Sequence, residues 1–138
     1  MKVAFATTGG VRVDEHFGRA GMFRIYEFTT DASEDLGNRV FAEGRDGAVE
    51  STRGNGEAHD AAVEDKVDKL ADCGIIYMTA IGGPSAARLT KRGIMPVKVT
   101  EGMPIQELVD GLMRTIRTSP PPWLKKQLSQ TQNGGNAR

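Results

Sequence analysis

Apolar and polar positions along the chain change period several times, and each change marks an element. Val3 to Thr7 is a short apolar run ended by Gly9 and Gly10, the pattern of a strand buried on both faces. Val11 and Val13 then alternate with Arg12 and Asp14, as in a strand with one wet face. Glu15-His16-Phe17-Gly18-Arg19-Ala20-Gly21 is too rich in glycine and polar groups for a strand and reads as a loop. Alternation resumes from Met22 to Thr29, with Phe23, Ile25 and Glu27 on one side and Arg24, Tyr26 and Phe28 on the other. Asn38 to Ala42 is predicted as a further strand that completes a meander.

The second half switches to helical spacing. Gly44 to Gly56, with its glycines and charges, is predicted as a mobile loop. Asp60 is the expected cap of a helix whose core stripe is Val63, Val67 and Leu70, at i, i+4 and i+7. Glu64, Asp65, Lys66, Asp68 and Lys69 then form its solvated face, and Gly74 ends it. Ile75 to Met78 is a second buried strand, followed by a Gly82-Gly83 turn and Pro84, which suits a first helical position. Ser85 to Arg92 makes a short helix with Gly93 at its left-handed C-terminal position. Met95 to Val99 is a third strand of this half, and Pro96 favours an edge or strand start. Pro104 opens the last helix, where Ile105, Leu108, Val109, Leu112 and Ile116 make the clearest amphipathic stripe in the chain.

Strands first, then helix and strand alternating, predict an α/β fold: a mixed sheet of about five strands with helices packed on it. Residues 1–117 form one domain. The segment 118–138 begins Thr-Ser-Pro-Pro-Pro-Trp and ends Asn-Gly-Gly-Asn-Ala-Arg. It is expected to be an extended, Pro-rich and terminally disordered tail, with Trp123 covering an apolar patch of its own domain.

Composition narrows the function classes. The 138 residues suffice for a core without disulfides or a structural metal. Lys plus Arg and Asp plus Glu number 18 each, so no basic excess points to nucleic acid. A sole cysteine, Cys73, excludes an intramolecular disulfide and a multi-cysteine metal site, which makes a reducing cytoplasmic setting the default. No apolar run approaches the ~20 residues that span a bilayer, and Met1 to Ala6 reads as a first strand rather than a signal peptide.

Three places could carry chemistry. His16 sits in a glycine-flanked loop beside Asp14, Glu15 and Arg19. It is either a turn histidine with one hydrogen bond or a metal ligand, for which a neutral imidazole suits iron. Gly82-Gly83-Pro84-Ser85 lies at a strand's carboxyl end and opens a helix. It is either an ordinary turn or an anion site built on unpaired N–H groups. Cys73 reads first as a small buried residue. The methionines read as core, with Met78 close to the Gly-Gly turn. No phosphate loop, nucleophile elbow or HExxH motif is present, and the first strand lacks the carboxylate of a two-metal nuclease.

Several short segments, in order, resemble the NifX/NafY family. They are Val13-Asp14-Glu15-His16-Phe17-Gly18 with Phe23-Arg24-Ile25-Tyr26-Glu27, then Glu64-Asp65-Lys66 through Cys73-Gly74-Ile75-Ile76-Tyr77. Thr79-Ala80-Ile81-Gly82-Gly83-Pro84-Ser85-Ala86-Ala87-Arg88-Leu89, Gly93 to Val99 and Pro121-Pro122-Trp123-Leu124 follow. Together they cover most of residues 1–126. The resemblance implies a ribonuclease H-like fold without nuclease function, and no enzymatic activity. It implies binding of an iron–sulfur precursor of the nitrogenase iron–molybdenum cofactor, stored or passed between the proteins NifB and NifEN. A regulatory or protein-interaction module of nitrogen fixation is the alternative. It implies His16 as the metal ligand, with Phe17, Gly18 and Arg19 around it. The N–H groups near Gly82, Gly83 and Ser85 are expected to face the anionic cluster, with Arg19, Arg24 or Lys98 supplying charge. Relatives carry a cysteine where this chain has Met78, which leaves Met78 or Cys73 as weaker substitute ligands.

Overall fold

The computed structural model describes residues 1–41 and 56–136, with side chains from 1–41 and 63–129. The strands are β1 (Lys2–Ala6), β2 (Arg12–Val13), β3 (Met22–Phe28), β4 (Ser33–Val40), β5 (Cys73–Met78), β6 (Met95–Lys98) and β7 (Met103–Pro104). The helices are α1 (Gly56–Lys69), α2 (Gly83–Lys91), α3 (Ile105–Thr118) and α4 (Pro122–Asn136). The main sheet has the order β4-β3-β1-β5-β6. β1–β3 and β3–β4 pair antiparallel, while β1–β5 and β5–β6 pair parallel. This is the five-stranded mixed α/β sheet expected from the sequence, with Pro96 on an edge strand as predicted. β2 and β7 form a separate two-stranded ribbon.

Strand alternation splits the core into two layers. Ala4, Ala6, Phe23, Ile25, Ile76 and Met78 face Val63, Val67 and Leu70 of the α1 region and Leu89 of α2. Val3, Phe5, Phe28, Ile75 and Tyr77 face Ile105, Val109, Leu112 and Ile116 of α3. Residues one apart on β1 and β5 thus serve opposite layers, which is why both strands read as continuous apolar runs. Gly93 takes φ +80° after α2. Gly93 N–H donates to Thr90 O and Ile94 N–H to Leu89 O, both at 2.9 Å, closing the helix in a Schellman motif.

Several expectations are corrected. The segment after Thr118 is not an extended tail: α4 starts at Pro122 and runs to Asn136. Proline is tolerated there because a first helical residue needs no N–H partner. Leu124 and Lys125 N–H groups both donate to Pro121 O at 3.0 Å. Leu124, 1 % exposed, and Leu128 pack with α3 in the second layer, so α3 is not the last helix. Trp123, at the start of α4, is 38 % exposed. β4 begins at Ser33, ahead of the strand expected at Asn38, and its residues are exposed or half-buried, so it carries little apolar pattern to read. α1 begins at Gly56, a turn before Asp60, and the rest of the loop expected at 44–56 lies outside the described residues. Gly74 lies within β5, not at a helix end. A Cβ on it would meet Gln127 Oε1 at 2.8 Å and Met1 Cγ at 3.0 Å. Val11 is 65 % exposed while Val13 is fully buried, because β2 is only two residues long.

Candidate functional site

The candidate residues gather at the carboxyl ends of β1 and β5, which are parallel neighbours. Ligands in open α/β sheets bind at such ends. After β1 the chain turns at Thr7 to Gly10, where Gly10 N–H donates to Thr7 Oγ1 at 2.9 Å. Asp14 pins this turn by accepting from Thr8 N–H at 2.9 Å and Thr8 Oγ1 at 2.8 Å. The chain then crosses over to β5. Thr79 N–H donates to Glu15 O at 3.0 Å, Phe17 N–H donates to Ala80 O at 2.9 Å, and His16 and Ala80 form a parallel bridge. The His16 segment is therefore hydrogen-bonded to the end of β5 just before Gly82.

Immediately after His16 the backbone tightens. His16 O accepts from Arg19 N–H at 3.1 Å and Ala20 N–H at 3.0 Å. His16, Gly18 and Arg19 are exposed, whereas Phe17 is 0 % exposed. The Phe17 ring lies 6.0 Å from that of Phe23 and anchors the turn in the first core layer.

α2 starts beside this turn. Gly82 is its cap, with φ −73° and ψ 154°, and no side chain caps the helix. Ala86 N–H closes the first helical bond to Gly82 O at 2.9 Å, which leaves the amides of the first turn without helical acceptors. Gly82 and Gly83 are exposed, and Ser85 is buried. Thr7, Thr8, Glu15, Met22, Val40 and Phe41 line a cleft of about 260 Å³ on the β1 side of the His16 segment.

The remaining candidates divide by position. Lys98 is exposed and stands opposite Met78 in the β5–β6 register, at the same edge of the sheet. The Arg24 guanidinium is bonded to Asp35, which raises its pKa further, so its charge is already matched. Met78 is fully buried in the first layer. Cys73 begins β5, so it lies about 20 Å of strand away from Ala80. Burial, and next the Asp72 carboxylate, push its thiol up to about 12. Neither position nor acidity makes Cys73 a substitute ligand. Among the described residues no three His, Cys, Asp or Glu side chains gather into a site for a metal ion.

One residue here was missed by sequence reasoning. Lys66, expected on a solvated face, is 4 % exposed. Its Nζ donates to Phe17 O at 3.0 Å and Gly18 O at 3.1 Å and sits 5.5 Å from the Phe17 ring centroid. Its position offered a signal: with Val63, Val67 and Leu70 it completes an i, i+3, i+4, i+7 set.

Known proteins give the site its context. The chain is 33 % identical over 132 residues to protein NifX of Herbaspirillum seropedicae, a match covering 96 % of this chain and 84 % of that one. A second match, 35 % identical over 97 residues, is to the FeMo cofactor biosynthesis protein NifB of the same organism, covering 70 % of this chain and 17 % of that protein. The crystal structure of PH0822 shares the fold with a TM-score of 0.61 at 16 % identity, covering 89 % of this chain and 97 % of the other. The family model for the dinitrogenase iron–molybdenum cofactor matches residues 1–115. The chain therefore belongs to the dinitrogenase iron–molybdenum cofactor family, the NifX/NafY family that its motifs resemble.

Proposed function

We propose that this protein is a carrier that holds an iron–sulfur precursor of the iron–molybdenum cofactor at the His16 turn. Family membership gives it a role in nitrogenase cofactor biosynthesis. The observation that carries the finer reading is the bridge between His16 and Ala80. It ties the backbone of the exposed His16 to Ala80, two residues before Gly82 at the uncapped start of α2, which supports reading the two as one site.

The chemistry follows from what a carrier must do. A preassembled metal–sulfur cluster arrives with its own sulfides and net negative charge. Several protein thiolates would hold it too firmly to release. In this reading one neutral imidazole ligates a terminal iron. The amides opening α2 and the helix dipole favour the anion, and exposed Arg19 and Lys98 add positive charge. Gly18, Gly82 and Gly83 keep the rim low. Binding is then reversible, as transfer from NifB to NifEN requires, and no bond in the cargo need be made or broken by the protein. The match to a part of NifB supports a shared cargo.

The test is His16→Ala. Purified anaerobically with the precursor and passed over a size column, the wild type should retain iron and its visible absorption. The variant should lose most of both. Equal retention by the variant would remove His16 from the site. A wild type that never carries iron would favour an interaction module instead.

A further inference from the structure

We infer that Lys66 is the positioning residue of the His16 turn, holding it in the shape that presents the imidazole. The inference deepens the carrier reading and rests on it, although its first measurement does not.

Position 66 is the i+3 slot of an otherwise apolar stripe formed by Val63, Val67 and Leu70, all buried. An apolar side chain there would simply extend the core. A buried ammonium instead incurs desolvation that only good partners offset. Two of its partners are the carbonyls of Phe17 and Gly18, the next acceptors in the chain after His16. A residue that breaks the local pattern in this way marks a site more often than a packing need.

Those two bonds complete the fastening of the turn. Phe17 N–H is held by Ala80 O, and Arg19 and Ala20 N–H groups by His16 O. Lys66 adds bonds to the two carbonyls in between, Phe17 O, which also accepts a longer 3.4 Å bond from Ala20 N–H, and Gly18 O. It also draws two carbonyl dipoles toward a buried cation. Their negative ends are thereby engaged inside rather than facing the anion expected at the exposed side of Gly18. A compact ammonium with three donors can serve several carbonyls at once, as an apolar residue cannot.

The decisive variant is Lys66→Met, which keeps the stem and removes the charge. Amide exchange in the cargo-free protein should speed up about tenfold or more at Phe17, Arg19 and Ala20. Amides of β1, β3 and β5 should stay unchanged, and the urea midpoint should hold or rise. Retention of isolated iron–molybdenum cofactor on a size column should fall toward that of His16→Ala. A residue needed only for packing would instead lower the midpoint and speed exchange across the whole first layer. That result would overturn the inference, as would unchanged exchange in the turn. Loose turn amides with cofactor retention intact, while His16→Ala loses it, would also overturn the inference and leave the carrier reading standing. If wild type holds no cofactor the carrier reading falls, and the exchange pattern alone decides for or against Lys66. Should Lys66→Met not fold, Lys66→Arg keeps the charge on a wider head group. The same three amides should then exchange faster by a smaller factor, and no change would count against the inference.

Discussion

A thiolate, not a thiol, ligates metals and attacks disulfides. With its thiol pushed up to about 12 by burial and then by Asp72, Cys73 stays protonated at pH 8. Folded protein mixed with Ellman's reagent at that pH should release almost no chromophore over minutes, and one equivalent after unfolding in guanidinium. Prompt release from the folded state would show that β5 opens at its amino end. The same reasoning predicts that Cys73→Ala leaves cofactor retention unchanged. Among single residues, His16 and the Gly82-Gly83 pair could be picked out as candidates from residue type and local context. Their closeness could not, because it depends on the Thr79 N–H donating to Glu15 O and the Phe17 N–H donating to Ala80 O, between residues far apart in sequence. Lys66 was hidden for another reason: it sits among Glu64, Asp65, Asp68 and Lys69, and a charge run reads as a wet face even when one member points inward.

Elements with strong periodicity were legible, and those defined by their partners were not. α3 announces itself through Ile105, Val109, Leu112 and Ile116, all buried. β4 is held to β3 by backbone pairing from Met22–Val40 to Phe28–Ser33 and has no apolar face to reveal it. α4 was obscured by its prolines, although Leu124 and Leu128 already stood at i, i+4. Truncating Leu124, which is almost fully buried in the second core layer, should cost about 2–4 kcal/mol. Urea unfolding of Leu124→Ala checks this, and a loss under 1 kcal/mol would mean that α4 is only loosely docked. The start of α2 permits a test with opposite signs. Gly82 has an extended backbone that any residue can adopt, and a Cβ there meets only Pro84 Cδ at 4.0 Å. Gly82→Asp should cap the helix and add a few tenths to about 1 kcal/mol of stability. The same carboxylate should repel an anionic cluster and lower cofactor retention. A rise in both would show that the helix start does not face the cargo.

At the scale of the molecule, the sheet splits labour between its ends. The carboxyl edge holds the exposed turn and helix start, while charge pairs fasten the opposite end and the β4 edge. Glu27 accepts from the N-terminal ammonium at 2.7 Å and pairs with Lys2 at 3.2 Å, joining β3 to β1. Asp72 pairs with Arg39 of β4 at 3.0 Å, and Asp35 with Arg24 within the β3–β4 hairpin. Burial raises the Glu27 and Asp72 carboxyls, but the cations outweigh it and leave both lowered. The Arg24 hydrogen bond lowers Asp35. A carboxyl held below its unfolded value adds stability that is complete above that value and is lost as pH falls through the folded one. The ordinary values are 4.5 for Glu27 and 3.8 for Asp35 and Asp72. The urea midpoint should therefore be nearly level from pH 7 to about pH 5 and decline progressively below it. Glu27→Gln removes one of the three groups, so it should be less stable than wild type at pH 7 and show a shallower acid decline, the two curves converging at low pH. Parallel curves would mean that Glu27 titrates alike in both states, and a midpoint that climbs on acidification would mean that these pairs hold the sheet less well than water does.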